Sequence, residues 1–190
     1  MPLRPFSVCV YCGARDGNDP AFGAAAEAMG TMLAANTWRL IYGAGDVGLM
    51  GRVARAAQAK GGETFGVIPE HLVEWEVGKS DLTSFIITET MHERKKVMLM
   101  NADTVVVMPG GAGSLDEMFE VLTWRQLGLH EKPVFLLNIN NYWGPLLDMV
   151  DHIIENGFAD PSLRSYLTVV DDVETLHQEL ANHLEETQQQ

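Results

Sequence analysis

Short runs of apolar residues alternate along the chain with longer segments that have the spacing of amphipathic helices. Most of these runs are apolar at successive positions, which is typical of parallel strands that are covered on both faces. The predicted strands are Ser7–Tyr11, Arg39–Tyr42, Thr64–Ile68, Phe85–Thr88, Thr104–Met108, Val134–Asn138 and Leu167–Val170. The predicted helices are Ala21–Ala35, Met50–Lys60, Glu93–Met100, Leu115–Leu127, Gly144–Asn156 and Val173–Glu186.

This strand-then-helix order predicts right-handed βαβ units and an α/β fold. We expect a doubly wound, mostly parallel, Rossmann-like sheet with helices on both faces. A chain of 190 residues predicts a single nucleotide-binding domain over 1–190, large enough to bury its own core. The tail from Asp171 carries six acidic residues and no Lys or Arg, so we expect residues 171–190 to be partly frayed.

The net charge of the chain disfavours two classes of binding partner. The chain carries a formal charge of −13, which argues against binding to nucleic acid or to an anionic membrane. No run approaches the roughly 18 apolar residues of a membrane span, and the start of the chain does not read as a signal peptide, so we expect a cytoplasmic protein. Cys9 and Cys12 are interpreted as structural, and the scattered histidines predict no metal site.

Candidate chemistry is concentrated in the segment Pro109–Glu117, which reads P-G-G-A-G-S-L-D-E. It follows a predicted strand and opens a predicted helix, so unpaired backbone N–H groups and the helix dipole would favour a bound phosphate there. Glycine permits close approach of the ligand. Glu117 would place a carboxylate one turn inside the helix, beside that phosphate.

A second interpretation of Glu117 is purely structural. Ser114 and Glu117 have the spacing of a capping box, in which the serine caps the helix and the glutamate reaches back to its N–H. The local sequence alone favours this cap over a catalytic role.

A second glycine cluster, Gly43–Gly48, spells G-x-G-x-x-G between a predicted strand and a predicted helix. The dinucleotide interpretation, with Glu70 as the ribose-binding acid, is disfavoured because the cluster belongs to the second βα unit. Tight packing of the turn is one alternative. The other is that Gly43 and Gly45 line the same ligand crevice as the 109–114 loop.

Three cations, at positions 94 to 96, open the helix that precedes the fifth strand. Cations oppose the helix dipole at that end, so their placement in an acidic chain needs a reason. A solvated polar face is one explanation. The other is that Arg94 binds a phosphate or carboxylate with Lys95 nearby, across the crevice from Glu117.

Taken together, these segments resemble the Lonely Guy family of cytokinin-activating phosphoribohydrolases, whose signature is P-G-G-x-G-T-x-x-E with an upstream H-E-R-K-type segment. The resemblance covers roughly residues 6–170. The matching segments are Pro109–Glu117, Met91–Lys95, Tyr42–Gly51 and Leu122–His130 with the following Lys132-Pro133.

The resemblance implies a homodimer without a cofactor that hydrolyses a nucleoside 5′-monophosphate to free base and ribose 5-phosphate. The substrate would be an N6-modified adenosine monophosphate or AMP. Arg94 and Glu117 would be catalytic, and Glu120 is a possible helper. The implied phosphate and nucleotide contacts are Gly110, Gly111, Gly113, Ser114, Lys95 and Thr123.

A competing hypothesis from another class is a nucleotide- or cofactor-binding carrier without catalysis. A carrier would need the glycine loop but not the pair formed by Arg94 and Glu117. Retention of both residues therefore favours the enzyme.

Overall fold

The computed structural model describes residues 4–73 and 82–188, and seven strands within these ranges form one sheet. The strands are β1 (Ser7–Tyr11), β2 (Arg39–Tyr42), β3 (Thr64–Pro69), β4 (Ser84–Thr88), β5 (Thr104–Val107), β6 (Val134–Leu137) and β7 (Leu167–Val170). Every predicted strand is present, and its ends differ from the prediction by at most one residue. Continuous apolar runs were therefore a sufficient signal for the sheet.

Helices connect successive strands. The described residues contain α1 (Pro20–Ala35), α2 (Gly48–Ala59), α3 (Glu70–Val73), α4 (Met91–Asn101), α5 (Ala112–Gln126), α6 (Gly144–Glu155), α7 (Ser162–Ser165), α8 (Val173–Gln188) and a 3₁₀ turn at Ile139–Asn141. The six predicted helices are confirmed, whereas α3, α7 and the 3₁₀ turn were not predicted because they are too short to show a periodic pattern. Along the described ranges, none of the helices combines the length and apolar character needed to cross a membrane.

The sheet is parallel throughout, with strand order β4-β3-β2-β1-β5-β6-β7. This confirms the doubly wound α/β prediction. The chain builds outward from β1 to β4, then returns to place β5 on the other side of β1. The connections that leave β1 and β5 therefore diverge, and a ligand crevice is expected at their carboxyl ends.

Two apolar layers enclose the sheet. On one face, α1, α2 and α8 pack against the sheet through residues such as Met29, Val53 and Leu180. On the other face, α4, α5 and α6 pack through Met98, Met118 and Val150. Each of these side chains is at most 1% exposed, so the sheet is a rigid platform for the loops at its edge.

Cys9 and Cys12 contribute one free thiol to each layer. Their burial raises the pKa of both thiols well above the ordinary range. Neither is a reactive thiolate near neutral pH, and both have the packing role that the sequence suggested.

Most of the acidic tail is helical. Helix α8 runs to Gln188, and its Leu176 and Leu180 are fully buried against the core. Val173–Gln188 is helical because its apolar positions recur at helical spacing and reach the core despite the flanking charges, and partial fraying of 171–190 stays a prediction.

Candidate active site

A cavity of about 520 Å³ lies at the carboxyl edge of the sheet, where the connections from β1 and β5 diverge. The loop 12–17 after β1 and the loop 109–111 after β5 form much of its wall. Gly13 joins the two loops, because its N–H donates to the Pro109 carbonyl at 3.0 Å. Its own carbonyl accepts from the Leu49 N–H of α2 at 3.0 Å. The cavity thus lies at the position where doubly wound sheets bind their ligands.

The start of α5 forms one wall of the cavity. Its first residue is Ala112, and the preceding Gly111 provides no side chain to cap the helix. A Cβ atom added at Gly111 or Gly113 would meet no described atom within 4 Å. The open space beside the uncapped amides is suited to an anion, which would also lie at the positive end of the helix dipole.

The structure excludes the capping-box interpretation of Ser114 and Glu117. Helix α5 begins three residues earlier than predicted, so Ser114 lies inside its first turn rather than at the cap position. Ser114 is buried and packs beside Gly110, where a Cβ would lie 2.1 Å from the serine Oγ. The capping box in this part of the chain is formed instead by Thr90 and Glu93 at the start of α4.

Arg94 reaches the cavity from α4 and is only 6% exposed. Its Nε donates to the Val67 carbonyl at 3.0 Å and its Nη2 donates to the Gly43 carbonyl at 2.8 Å. Its Nη1 contacts the sulfur of Met91 at 3.8 Å, which is a weak interaction. Two carbonyls at the carboxyl ends of neighbouring strands thus fix the guanidinium, and the hydrogens of Nη1 remain available to a ligand.

Glu117 lines the same cavity from α5. Burial raises the pKa of this carboxyl from 4.5 to about 7, and the Arg94 guanidinium opposes the shift. The Asp116 carboxylate adds to the rise. Near neutral pH the group is therefore poised between its protonated and ionised forms, which is the range expected of a general acid or base.

Four residues that the sequence analysis assigned to ligand contact lie outside the cavity. Lys95 is buried and forms ion pairs with Asp116 and Glu120, and Thr123 is exposed on α5. Within the described ranges, neither lines the cavity. Gly43 and Gly45 also do not line it among these residues.

Gly43 makes a contact that the sequence did not predict. A Cβ at this position would lie 1.8 Å from Nη2 of Arg94, so the absence of a side chain is what admits the guanidinium. The glycine cluster at 43–48 positions a catalytic candidate instead of forming the wall of the cavity. This contact joins residues that are 51 positions apart, which the local sequence did not reveal.

Sequence reasoning missed the loop after β1. Arg15 in this loop lines the cavity, and no ion pair or hydrogen bond to a described residue engages it. Its neighbour Asp16 is paired with Arg52 at 2.7 Å, just as Asp116 is paired with Lys95 at 3.0 Å. The Arg15 guanidinium therefore lines the cavity without a carboxylate partner among the described residues, although the chain as a whole is acidic. What marks this loop as part of the site is its position where the strand order reverses. The local sequence does not show that order.

Tyr142 was also missed. It lines the cavity, and its hydroxyl donates to the Gly110 carbonyl at 2.6 Å. The preceding Asn140 and Asn141 have φ values of 52° and 57°, a left-handed conformation that costs energy and is tolerated best by asparagine and glycine. Backbone strain of this kind is concentrated at functional sites, and here it brings an aromatic ring to the phosphate loop.

Comparison with known proteins agrees with these observations. The family model described as "Possible lysine decarboxylase" matches residues 50–180. A cytokinin riboside 5′-monophosphate phosphoribohydrolase of Rhodococcoides fascians is 44% identical over 171 residues, which cover 90% of this chain and 86% of the relative. A protein of the same name from Arabidopsis thaliana is 38% identical over 173 residues, covering 91% of this chain and 76% of the relative.

Solved structures share the fold. A molybdenum cofactor binding protein of Rippkaea orientalis aligns with a TM-score of 0.72 and 21% identity, over 96% of this chain and 99% of the other. The Moco carrier protein of Chlamydomonas reinhardtii aligns with a TM-score of 0.74 and 19% identity, over the same shares. At such identities the likeness shows the fold alone, whereas the matches in sequence extend over most of both chains. On that ground the chain belongs to the Lonely Guy family, among the proteins named cytokinin riboside 5′-monophosphate phosphoribohydrolases.

Proposed function

We propose that this protein hydrolyses the N-glycosidic bond of a nucleoside 5′-monophosphate, releasing the free base and ribose 5-phosphate. The substrates are a cytokinin riboside 5′-monophosphate, AMP or both. The names of the relatives support this reaction. The single observation that carries the proposal is that Arg94 and Glu117 line one cavity together with the uncapped start of α5.

The phosphate would bind at the start of α5. Gly111 and Gly113 leave space beside the helix amides, and Ser114 supplies a hydroxyl at the same turn. Arg15 lies on the opposing loop with a guanidinium that no described carboxylate neutralises. This arrangement favours a dianionic monophosphate over an uncharged nucleoside.

The reacting sugar carbon would lie near Glu117. Cleavage of the bond between C1′ and the base nitrogen passes through an oxocarbenium-like cation, which a carboxylate can stabilise. In its ionised form, Glu117 takes a proton from the attacking water as the new C1′–oxygen bond forms and the bond between C1′ and the base nitrogen breaks. The departing purine takes a proton from solvent, and Glu117 then returns the proton of the attacking water to solvent, so the protons balance. The nearby Arg94 guanidinium assists departure of the electron-rich base.

A carrier without catalysis is the less favoured alternative. A carrier needs a cavity and an anion site, but it has no use for an arginine held by two carbonyls opposite a carboxyl with a pKa of about 7. These features are costly to build and match acid–base chemistry.

The family description also names lysine decarboxylation, which requires a lysine to hold pyridoxal phosphate. Among the described residues, no lysine lines the cavity. Lys95 is held by two carboxylates and Lys132 by the carbonyls of Leu99 and Ala102. The described residues do not fit that cofactor, so the reaction proposed here involves none.

The proposal includes a homodimer in the cytoplasm, where nucleoside monophosphates are found. Helices α4 and α5 lie side by side on one face of the sheet, tied by Lys95 and Asp116. Large apolar side chains are exposed here: Met100 of α4 is 67% exposed, and Leu127, which directly follows α5, is 68% exposed. A second copy packed on this face would bury them. Light scattering of the wild type and of a Met100→Lys, Leu127→Lys variant tests this assembly, since the proposal predicts a dimer for the first and a monomer for the second.

The activity is tested by incubating the protein with AMP, isopentenyladenosine monophosphate and adenosine, followed by chromatography of the released base. We expect base from at least one monophosphate, with kcat/KM at least about 100-fold higher than for adenosine, because the nucleoside lacks the phosphate contacts. Equal rates with adenosine would contradict the phosphate site. Release from neither monophosphate would leave the carrier.

A further inference from the structure

Lys95 occupies an unusual environment for a lysine. Its side chain is only 5% exposed, and lysine is rarely buried unless it is paired. Its Nζ lies 2.8 Å from an Oε2 of Glu120 and 3.0 Å from an Oδ2 of Asp116. One ammonium thus holds two carboxylates of another helix, at distances typical of charge-assisted hydrogen bonds.

The positions of these three residues along the chain connect them to the proposed catalytic pair. Lys95 directly follows Arg94 on α4. On α5, Asp116 directly precedes Glu117, and Glu120 follows it by one turn. The ion pairs therefore cross from α4 to α5 immediately beside the place where Arg94 and Glu117 line the cavity.

From this geometry we propose that Lys95, Asp116 and Glu120 form a positioning network, which fixes α5 against α4 and sets the charge around the Glu117 carboxyl. The inference rests on the proposed function for its kinetic consequence. It replaces the nucleotide contact that the family resemblance implied for Lys95. None of the three residues needs to touch the substrate.

Groups from three elements face Glu117. Helix α4 contributes the cations Arg94 and Lys95, and α5 contributes the carboxylates of Asp116 and Glu120. Strand β1 and its following loop contribute Cys9, Tyr11 and Cys12, whose pKa values are raised by burial so that all three are uncharged near neutral pH. His92 lies 4.0 Å from Glu120 at the exposed end of the network.

The members of the network act on Glu117 in opposite senses. Lys95 lowers the pKa of the Glu117 carboxyl, whereas Asp116 and Glu120 raise it. Removing the cation should therefore shift the titration of Glu117 to higher pH, and removing either anion should shift it to lower pH. If the network only held the helices together, loss of Lys95 or of Glu120 would break the same ion pair, and the titration of Glu117 would change in the same direction in both cases.

The experiment compares Lys95→Met with Glu120→Gln. The pH dependence of kcat/KM is measured for each, and the ionisation of Glu117 is followed directly by ¹³C NMR of its side-chain carboxyl. We expect the midpoint to move upward in Lys95→Met and downward in Glu120→Gln, each by at least about 0.5 pH unit. In Glu120→Gln, Lys95 keeps Asp116 as a partner, so this variant should fold even if Lys95→Met does not.

A matched control is the ion pair between Arg164 of α7 and Asp151 of α6, at 3.6 Å. Neither residue lines the cavity, and Arg164→Met and Asp151→Asn should leave the Glu117 midpoint unchanged. Shifts of the same sign in the two network variants, or an unchanged midpoint in Glu120→Gln, would overturn the proposal. The NMR titration needs no turnover, so failure of the network can be distinguished from failure of the proposed hydrolase activity.

Discussion

The two glycine-rich loops of this protein look alike in sequence, but Gly43 in the first and Gly111 in the second lack a side chain for opposite reasons. In the loop Gly43–Gly48, the space beside Gly43 is filled by the Arg94 guanidinium, whose Nη2 would lie 1.8 Å from an added Cβ. In the loop Pro109–Gly113, the space beside Gly111 is empty of described atoms to 4 Å. Gly43 makes room for a residue of the protein itself, and Gly111 leaves open the space in which we propose that the phosphate binds.

This difference changes how such motifs should be interpreted. Both loops follow a parallel strand and precede a helix, and either could cradle a phosphate on that basis. Both helices begin without a capping side chain, but of the two loops only the one after β5 stands at the reversal of the strand order. Position in the topology, rather than glycine content, identifies the ligand loop.

Apart from the loss of the Glu117 carboxylate itself, the largest expected effect comes from Gly43→Ala. The added methyl group must displace the end of the Arg94 side chain, which is flexible enough to move but would lose its carbonyl partners. We expect kcat/KM to fall by about 100-fold, mainly through kcat, because a misplaced group at the reacting centre costs that much. Steady-state kinetics, with urea unfolding as the control for stability, checks this. A variant with normal kcat would show that this loop does not position Arg94 for catalysis.

The second test concerns the Glu117 carboxyl, which lines the same cavity as Arg94. The folded state raises the pKa of Glu117 from 4.5 to about 7, so the favourable contribution of its protonated form is present below pH 4.5 and is lost as the pH rises through 7. The amide of a glutamine at this position does not ionise, so the Glu117→Gln variant lacks this loss. Urea unfolding should therefore show Glu117→Gln gaining about 1–3 kcal/mol relative to wild type between pH 5 and pH 8. A difference that does not vary with pH would mean that the carboxyl has an ordinary pKa.

Gly111→Ala is the counterpart of Gly43→Ala in the second loop. Its Cβ would meet no protein atom, so the free energy of unfolding should stay within about 0.5 kcal/mol of wild type. The methyl group would instead intrude on the bound phosphate, and we expect KM for AMP to rise about 10-fold with a smaller change in kcat. Isothermal titration with ribose 5-phosphate should show the same weakening. Loss of stability without loss of affinity would remove the distinction between the two loops.

The smallest expected effect is that of Tyr142→Phe. This change removes the hydroxyl that donates to the Gly110 carbonyl and keeps the aromatic ring. A single neutral hydrogen bond at the edge of the ligand loop predicts a rise in KM of about 3- to 10-fold. Tyr166→Phe is the matched control, since its hydroxyl contacts Ser162 and lies outside the cavity. Equal effects of the two changes would exclude a specific role for Tyr142.

The sheet was predictable because each strand is marked by its own residues. Runs such as Thr104–Val107 are apolar at successive positions, and local composition suffices to locate them. The long helices were also predicted correctly, from the periodic spacing of their apolar residues. The order of the strands was not predicted, but the general rules for βαβ units place a ligand crevice at the carboxyl edge of such a sheet.

The details of the site depend on contacts that local sequence does not encode. Ser114 and Glu117 have the spacing of a capping box but do not form one, because the helix after β5 begins at Ala112 and places Ser114 inside its first turn. The capping box of Thr90 and Glu93 belongs to a different helix, α4. The carbonyl partners of Arg94 are 27 and 51 residues away in the sequence. Arg94 and Glu117 could be proposed from the sequence, but the contacts that position them are visible only in the folded structure.

The most direct test of the central claim compares turnover and binding in Glu117→Gln. If Glu117 acts on the sugar while α5 holds the phosphate, kcat for AMP or isopentenyladenosine monophosphate should fall by about 10²- to 10⁴-fold, and Kd for the same nucleotide should change by less than about 3-fold. A variant that retains more than a tenth of wild-type kcat would contradict the account.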